Sequence, residues 1–335
     1  MVEYNDILNQ VVRNGRLEYL DFCKVLAIFL VTVAHCAQQI SGNHFPVLMI
    51  SKDSFISINM AVFMIASGYV INFDKMRKMT TREYLISKAI RLLLPMISWY
   101  LILSLTMLRF PSFAFFWSIY WYLGAFFICL STIKLLLNLT SNVWVICIAS
   151  ILVLTCIPST FFERCCYMIP FLWVGFFLRF FINHIGKNSA IILILIYAIM
   201  YYFWDVQYSI YVCPFQIWNI NQHAVFALIF RFAIGTIGGI FVIITSKILF
   251  EQYCFNWLRY IARFGSYTLV FYTMSFVLNS ILARVLWHVN VYVNIPGVLD
   301  LLAIIVTMLM MIVMYYFQIL VKKNRWIRLV LLGEV

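Results

Sequence analysis

Residues 16–40 read RLEYLDFCKVLAIFLVTVAHCAQQI, and this stretch decides the solvent in which the chain folds. Between Leu20 and Ile40 the only ionisable side chains besides cysteine are Asp21, Lys24 and His35. About 20 mostly apolar residues in helical form cross the hydrocarbon of a bilayer. Comparable apolar runs recur at roughly 55–73, 90–108, 114–136, 142–157, 166–182, 189–204, 223–246, 265–285 and 299–320. With the first, that makes about ten, or nine or eleven if the third to sixth are cut differently. Within lipid each backbone amide must find its partner inside the segment, so such runs are read as helices.

Composition leads to the same reading. Of 335 residues, 65% belong to the apolar set and only 11% are charged, where a soluble domain carries roughly a quarter. Too little polar surface exists to coat a water-soluble globule. The net charge of +12 would suggest nucleic acid in a soluble protein. In a membrane protein it reflects Lys and Arg held on the cytoplasmic side, and no nucleic-acid partner is expected. Cys23, Cys36, Cys129, Cys147, Cys156 and Cys254 lie in or beside apolar runs, and no metal-ligand spacing links any of the cysteines. No metal site is expected.

The predicted fold is therefore all-α, a polytopic transmembrane helix bundle of about ten membrane helices. It forms a single domain over 1–335, with a short polar segment at 1–19 and a basic tail at 321–335. The polar start lacks the apolar core of a cleavable signal peptide. With residues 1–19 placed in the cytoplasm, nineteen of the 24 Lys and Arg fall on the cytoplasmic side, among them Lys75, Lys88, Arg91, Lys134, Lys247 and Lys322. Lys52, Arg109, Arg164 and Arg284 fall outside, and Arg231 falls within a span. This alternation predicts an even helix count with both termini cytoplasmic.

Ionisable groups at bilayer depth are costly and are candidate functional residues. Asp21 and Lys24, three residues apart, share one face of the first helix. His35 follows Lys24 by eleven residues, close to three turns and about 16 Å along the axis. One stripe thus carries a cation near the cytoplasmic entry and an imidazole deep toward the far side, beside Gln38 and Gln39. Imidazole is the side chain best suited to exchange a proton near neutral pH. Lys88 and Arg91, entering the third span, read either as a membrane anchor or as a phosphate clamp. The run around Ser67-Gly68-Tyr69 reads as close helix packing or as part of a site. Tyr120-Trp121-Tyr122 reads as an interfacial belt or as a stacking floor for a sugar ring. Arg231 needs a partner that the sequence does not name.

These residues resemble the acyltransferase-3 family of membrane acyltransferases, which includes bacterial O-acetyltransferases of surface polysaccharides. The family's first helix carries Arg or Lys, ten residues, then His; Lys24 and His35 match, preceded by Asp21. Lys88 and Arg91 match its basic pair. Ala61–Tyr69, Tyr120–Leu123, Pro170–Arg179 and Gly265–Ser275 match further motifs in order along the chain. Ser275 stands where a second His is common, which removes that position from the expected site.

The resemblance implies an acyl-CoA donor, most simply acetyl-CoA, as a substrate on the cytoplasmic face rather than a resident cofactor. It also implies an acceptor hydroxyl on a glycan or lipid-linked saccharide, in a bacterial inner membrane. The catalytic residues would be His35, as general base, with Lys24 and Asp21, Lys24 facing the donor vestibule to help hold the donor or orient the helix. Lys88 and Arg91 would hold the CoA phosphates. Tyr120, Trp121, Tyr122, Ser67 and Arg231 would contact substrate, the last three of them as candidates to meet the developing negative charge. A transporter or flippase for a glycan intermediate or small metabolite shares the helix count but would leave the glycan unmodified.

Overall fold

The computed structural model describes residues 12–13, 16–42, 50–107, 112–157, 160–209, 222–253 and 255–334. Arg109, Cys213, Cys254 and the side chain of Lys52 lie outside the described residues. Apart from a two-stranded ribbon, β1 (Val12–Arg13) against β2 (Arg16–Leu17), the described chain is helical.

Helix α1 (Glu18–Ile40) is followed by α2 (Ile50–Tyr69), the short α3 (Phe73–Lys78) and α4 (Thr81–Lys88). One π-helical turn, Ala89–Leu93, carries α4 into α5 (Leu94–Thr106). There follow α6 (Phe113–Leu139), α7 (Val143–Thr155), α8 (Thr160–Phe181), α9 (Lys187–Tyr202) and α10 (Gln222–Ile248). The chain ends with α11 (Asn256–Ala262), α12 (Thr268–Val289), α13 (Pro296–Lys322) and α14 (Arg325–Leu332).

Among the described residues, seven helical stretches are long and apolar enough to cross a membrane. Three shorter apolar helices, Ser57–Tyr69, Val143–Thr155 and Lys187–Tyr202, coincide with the remaining predicted runs. Some helices run past the apolar stretch that betrays them, as α10 does from Gln222 to Ile248. Helical hydrogen bonding continues beyond the point where side chains turn polar, so apolarity marks the middle of a helix better than its ends.

Packing is led by close helix crossings in the centre. Where α2 crosses α8, a Cβ added to Gly68 would strike the carbonyl of Leu172, and one added to Gly175 would strike that of Ile65. Lipid offers no hydrophobic drive to bring helices together, so small residues that admit backbone-to-backbone approach set such crossings. The Ser67-Gly68 and Pro170–Gly175 motifs are thus, first of all, a packing device.

One end of the bundle gathers the basic connections. Lys134, only 2% exposed, donates to the carbonyls of Met76 and Met79, both at 2.9 Å. Those carbonyls belong to α3 and the turn after it, so α6 holds the connection in place. Arg179 donates to Ile71 O at 2.9 Å, Lys247 to Asn183 Oδ1 at 2.7 Å, and Arg259 pairs with Glu18 at 3.4 Å. The basic tail is more ordered than its charge implies. Its helix α14 docks on α5, where Trp99 Nε1 donates to Leu331 O at 3.1 Å. Gly333, at φ +64°, caps it in the left-handed region and sits directly against the backbone of Ile90 and Arg91.

Candidate functional site

Helix α1 is continuous through Lys24 and His35, so the eleven-residue spacing keeps its register of about 20° in projection. At one level Lys24 Nζ pairs with Asp21 Oδ1 at 3.2 Å. A Cβ on Gly265 would collide with Asp21, so that glycine admits the chain before α12 against this face of α1. Asp21 and Lys24 thus form a fixed, partly exposed pair, with the Gly265 motif as their seat.

At the other level His35 faces an open cavity of about 600 Å³ between α1, the end of α5, α6 and α12. The polar lining is His35, Gln38, Gln39, Asn279, Ser280 and Arg284. Phe276, Ile119, Leu103 and Trp287 supply apolar and aromatic wall. Gln38 hydrogen-bonds the imidazole, and the Phe276 ring lies 5.0 Å from it, centroid to centroid. The volume lies within the range of small-molecule sites. Its mix of amides, hydroxyl and rings suits a polyhydroxylated ligand with one apolar face.

The three adjacent aromatic residues on α6 part company. Tyr120 is fully buried, meets Phe276 edge-on at 5.4 Å and donates to Thr273 O at 3.4 Å, so it backs the wall of the His35 cavity. Its own backbone, at φ −97° and ψ 20°, kinks the helix there. Trp121 turns away and lies under Arg164 at 5.2 Å. Tyr122 faces the bundle interior, 5.8 Å from Tyr272, where Ser67 hydrogen-bonds its hydroxyl. Ser67 and Tyr122 therefore sit behind the aromatic wall, joined to the cavity through Tyr272 and Phe276, whose rings are 5.3 Å apart.

Arg231 occupies a different place. It is 2% exposed, donates from Nη1 to Tyr208 O at 3.2 Å and stacks its guanidinium 4.7 Å over Tyr167. The space it lines, with Trp121, Ser57 and Asn59, holds about 20 Å³, room for roughly one water. Lys88 and Arg91 stand at the basic end and do not line the His35 cavity. Lys88 Nζ lies 5.3 Å from the Tyr84 ring centroid, and its charge senses those of Arg91 and Lys75. Arg91 sits in the π turn, against Gly333. Ser275, where a second His is common in the resembling family, is fully buried and donates to Tyr272 O at 2.8 Å, so it takes no part in the cavity.

Asn279, Ser280 and Trp287 belong to none of the motifs read from the sequence. The signal for Asn279 is the same as for His35: a polar group inside an apolar span needs an explanation. Among the described residues no three His, Cys, Asp or Glu side chains gather as metal ligands.

A bundle of apolar helices with a histidine inside one of them, facing a cavity, and a basic end is that of a membrane protein. The acyltransferase-3 family model, described as "Acyltransferase domain", matches residues 17–317. The chain belongs to this family, and acyl transfer is its class of activity. No curated protein and no solved structure matches it.

Proposed function

We propose that this protein transfers an acyl group, most simply acetyl, from cytoplasmic acyl-CoA to a hydroxyl of a cell-surface or lipid-linked glycan in a bacterial inner membrane. The observation that carries the proposal is the His35 imidazole at the wall of a cavity of about 600 Å³, in helical register with Lys24. Placing the basic end in the cytoplasm puts Lys24, Asp21, Lys88 and Arg91 on the donor side and the His35 cavity on the acceptor side. The donor's flexible arm then covers the roughly 16 Å between the two levels of α1.

In the transfer, His35 accepts the proton of the acceptor hydroxyl as its oxygen attacks the thioester carbonyl. The C–O bond forms, the C–S bond breaks, and the proton passes to the departing CoA sulfur. A sugar hydroxyl is a weak nucleophile, and a positioned base typically contributes 10²–10⁴-fold. Lys88 and Arg91 suit the phosphates of CoA as charge-assisted donors. Tyr120 supports the acceptor wall, whereas Trp121 and Arg231 act away from the reacting atoms. Ser67 and Tyr122, behind that wall, brace it.

The test is mass spectrometry of surface glycans from cells lacking the protein, complemented with the wild type or with His35→Ala. Acyl groups that appear with the wild type and are missing with a correctly inserted His35→Ala protein are expected. Equal acylation by both would remove His35 from the reaction. No protein-dependent acylation at all would end the reading.

A further inference from the structure

Among the described residues that line the His35 cavity, Arg284 brings a permanent charge and no Asp or Glu is present to balance it. Arg284 is exposed, and among the described residues it forms no salt bridge and no hydrogen bond. Phe276, Ser280 and Arg284 follow one another at four-residue steps along α12, and all three line the cavity. Phe276 marks the level of the imidazole, its ring 5.0 Å from that of His35. Arg284 is eight residues further on, about 12 Å along the axis. Beyond it Val293 N donates to Ile40 O at 3.0 Å, where the end of α1 meets the segment after α12. Arg284 therefore stands between the imidazole and that end of the bundle. A cation beside apolar helices is costly and ordinarily finds its counter-charge in the protein, as Lys24 does in Asp21. Arg284 is given none.

We infer that Arg284 is a specificity determinant for an acidic acceptor: it pairs with a carboxylate or phosphate carried by the saccharide, while the hydroxyl to be acylated lies deeper, at His35. A guanidinium stays charged at every working pH and offers a planar fork of N–H donors that matches a carboxylate or phosphate. Such charge-assisted bonds are roughly twice as strong as neutral ones. Leu103, Met107 and Trp287 supply an apolar wall beside it, and a low local dielectric strengthens the attraction. A neutral sugar of the same shape leaves the cation to water and gains nothing from it. The inference rests on the reading of this cavity as the acceptor site and adds the charge of the acceptor. A phospholipid headgroup offers the same phosphate chemistry, so the experiment separates the two sources.

The experiment is a melting titration of the full chain in a non-ionic detergent. The probes are methyl glycosides of glucuronic, galacturonic and N-acetylneuraminic acid, each beside its uncharged carboxamide, and glucose 6-phosphate beside glucose. The wild type is expected to bind at least one acidic sugar about tenfold or more tightly than its neutral counterpart, the scale of one charge-assisted hydrogen bond. Arg284→Gln should lose that preference and Arg284→Lys should keep part of it. The ratio of acid to amide is read within each protein, so it does not depend on how stable the variant is. No acidic sugar preferred by the wild type overturns the inference, as does a preference undiminished in Arg284→Gln. A parallel arm adds phosphatidylglycerol. Stabilisation by this lipid that Arg284→Gln loses, with no preference among the sugars, assigns the cation to the membrane and also overturns the inference. A His35→Ala protein that keeps the preference but acylates no glycan supports both readings. The preference without any protein-dependent acylation leaves the inference standing and removes the proposed reaction.

Discussion

His35 and Arg231 are both ionisable groups inside apolar helices, and their surroundings could hardly differ more. Arg231 lies in about 20 Å³ of space, its guanidinium on a carbonyl and an aromatic ring. His35 opens onto about 600 Å³, with amides on two helices around it. Depth and charge alone mark both as costly. Room for a ligand separates them: one is a polar tie between α8, α10 and the segment before α10, the other the wall of a chamber. An intramembrane charge therefore points to chemistry only when open space lies beside it.

The largest effect that tests this contrast is at the chamber. His35→Ala should lower the rate of glycan acylation by about 10²–10⁴-fold, the usual worth of a positioned base, with little change in melting temperature. A low rate explained by lost insertion would erase the contrast. Arg231→Leu should behave in the opposite way. It is expected to lose stability, on the order of 2 kcal/mol from the hydrogen bond and the cation–π contact, while the folded fraction acylates within a few-fold of the wild type. A stable Arg231→Leu protein with no activity would move Arg231 into the site.

Filling the chamber sharpens the comparison further. Ala283→Trp places a ring among Arg284, Trp287 and Met107. It should raise KM for the acceptor by about tenfold or more while leaving KM for acyl-CoA unchanged. The smallest expected effect lies at the far end of the bundle. Lys88→Ala combined with Arg91→Ala should weaken acyl-CoA by about tenfold, the scale of one or two charge-assisted hydrogen bonds, and leave the acceptor KM alone. Unchanged acyl-CoA affinity in that double variant would return the pair to a membrane anchor.

Much of this was legible in residue order because helices impose local geometry. Eleven residues are close to three turns wherever a helix is continuous, so the Lys24–His35 stripe needs no tertiary information. The same holds for the apolar runs, whose length against the bilayer selects helices. Other parts were not legible. Tyr120, Trp121 and Tyr122 form one motif in the chain, yet they face the wall of the His35 cavity, the neighbourhood of Arg164 and the bundle interior. Successive helical residues diverge by about 100°, and the kink at Tyr120 adds to this. The tail beyond Lys323 is mostly basic and apolar in the sequence, and it takes its place through Trp99 and the backbone beside Arg91.

By itself the sequence determined the solvent, the helical class, the family motifs and the spacing along each helix, since these follow from hydropathy and from a fixed rise per residue. Tertiary structure alone decided which polar groups are packed against protein and which face open space. That distinction depends on side chains such as His35, Leu103, Ile119 and Asn279, brought from distant parts of the chain to enclose one volume. No local rule records how four helices leave a gap between them, and the gap is what turns a costly histidine into a candidate base.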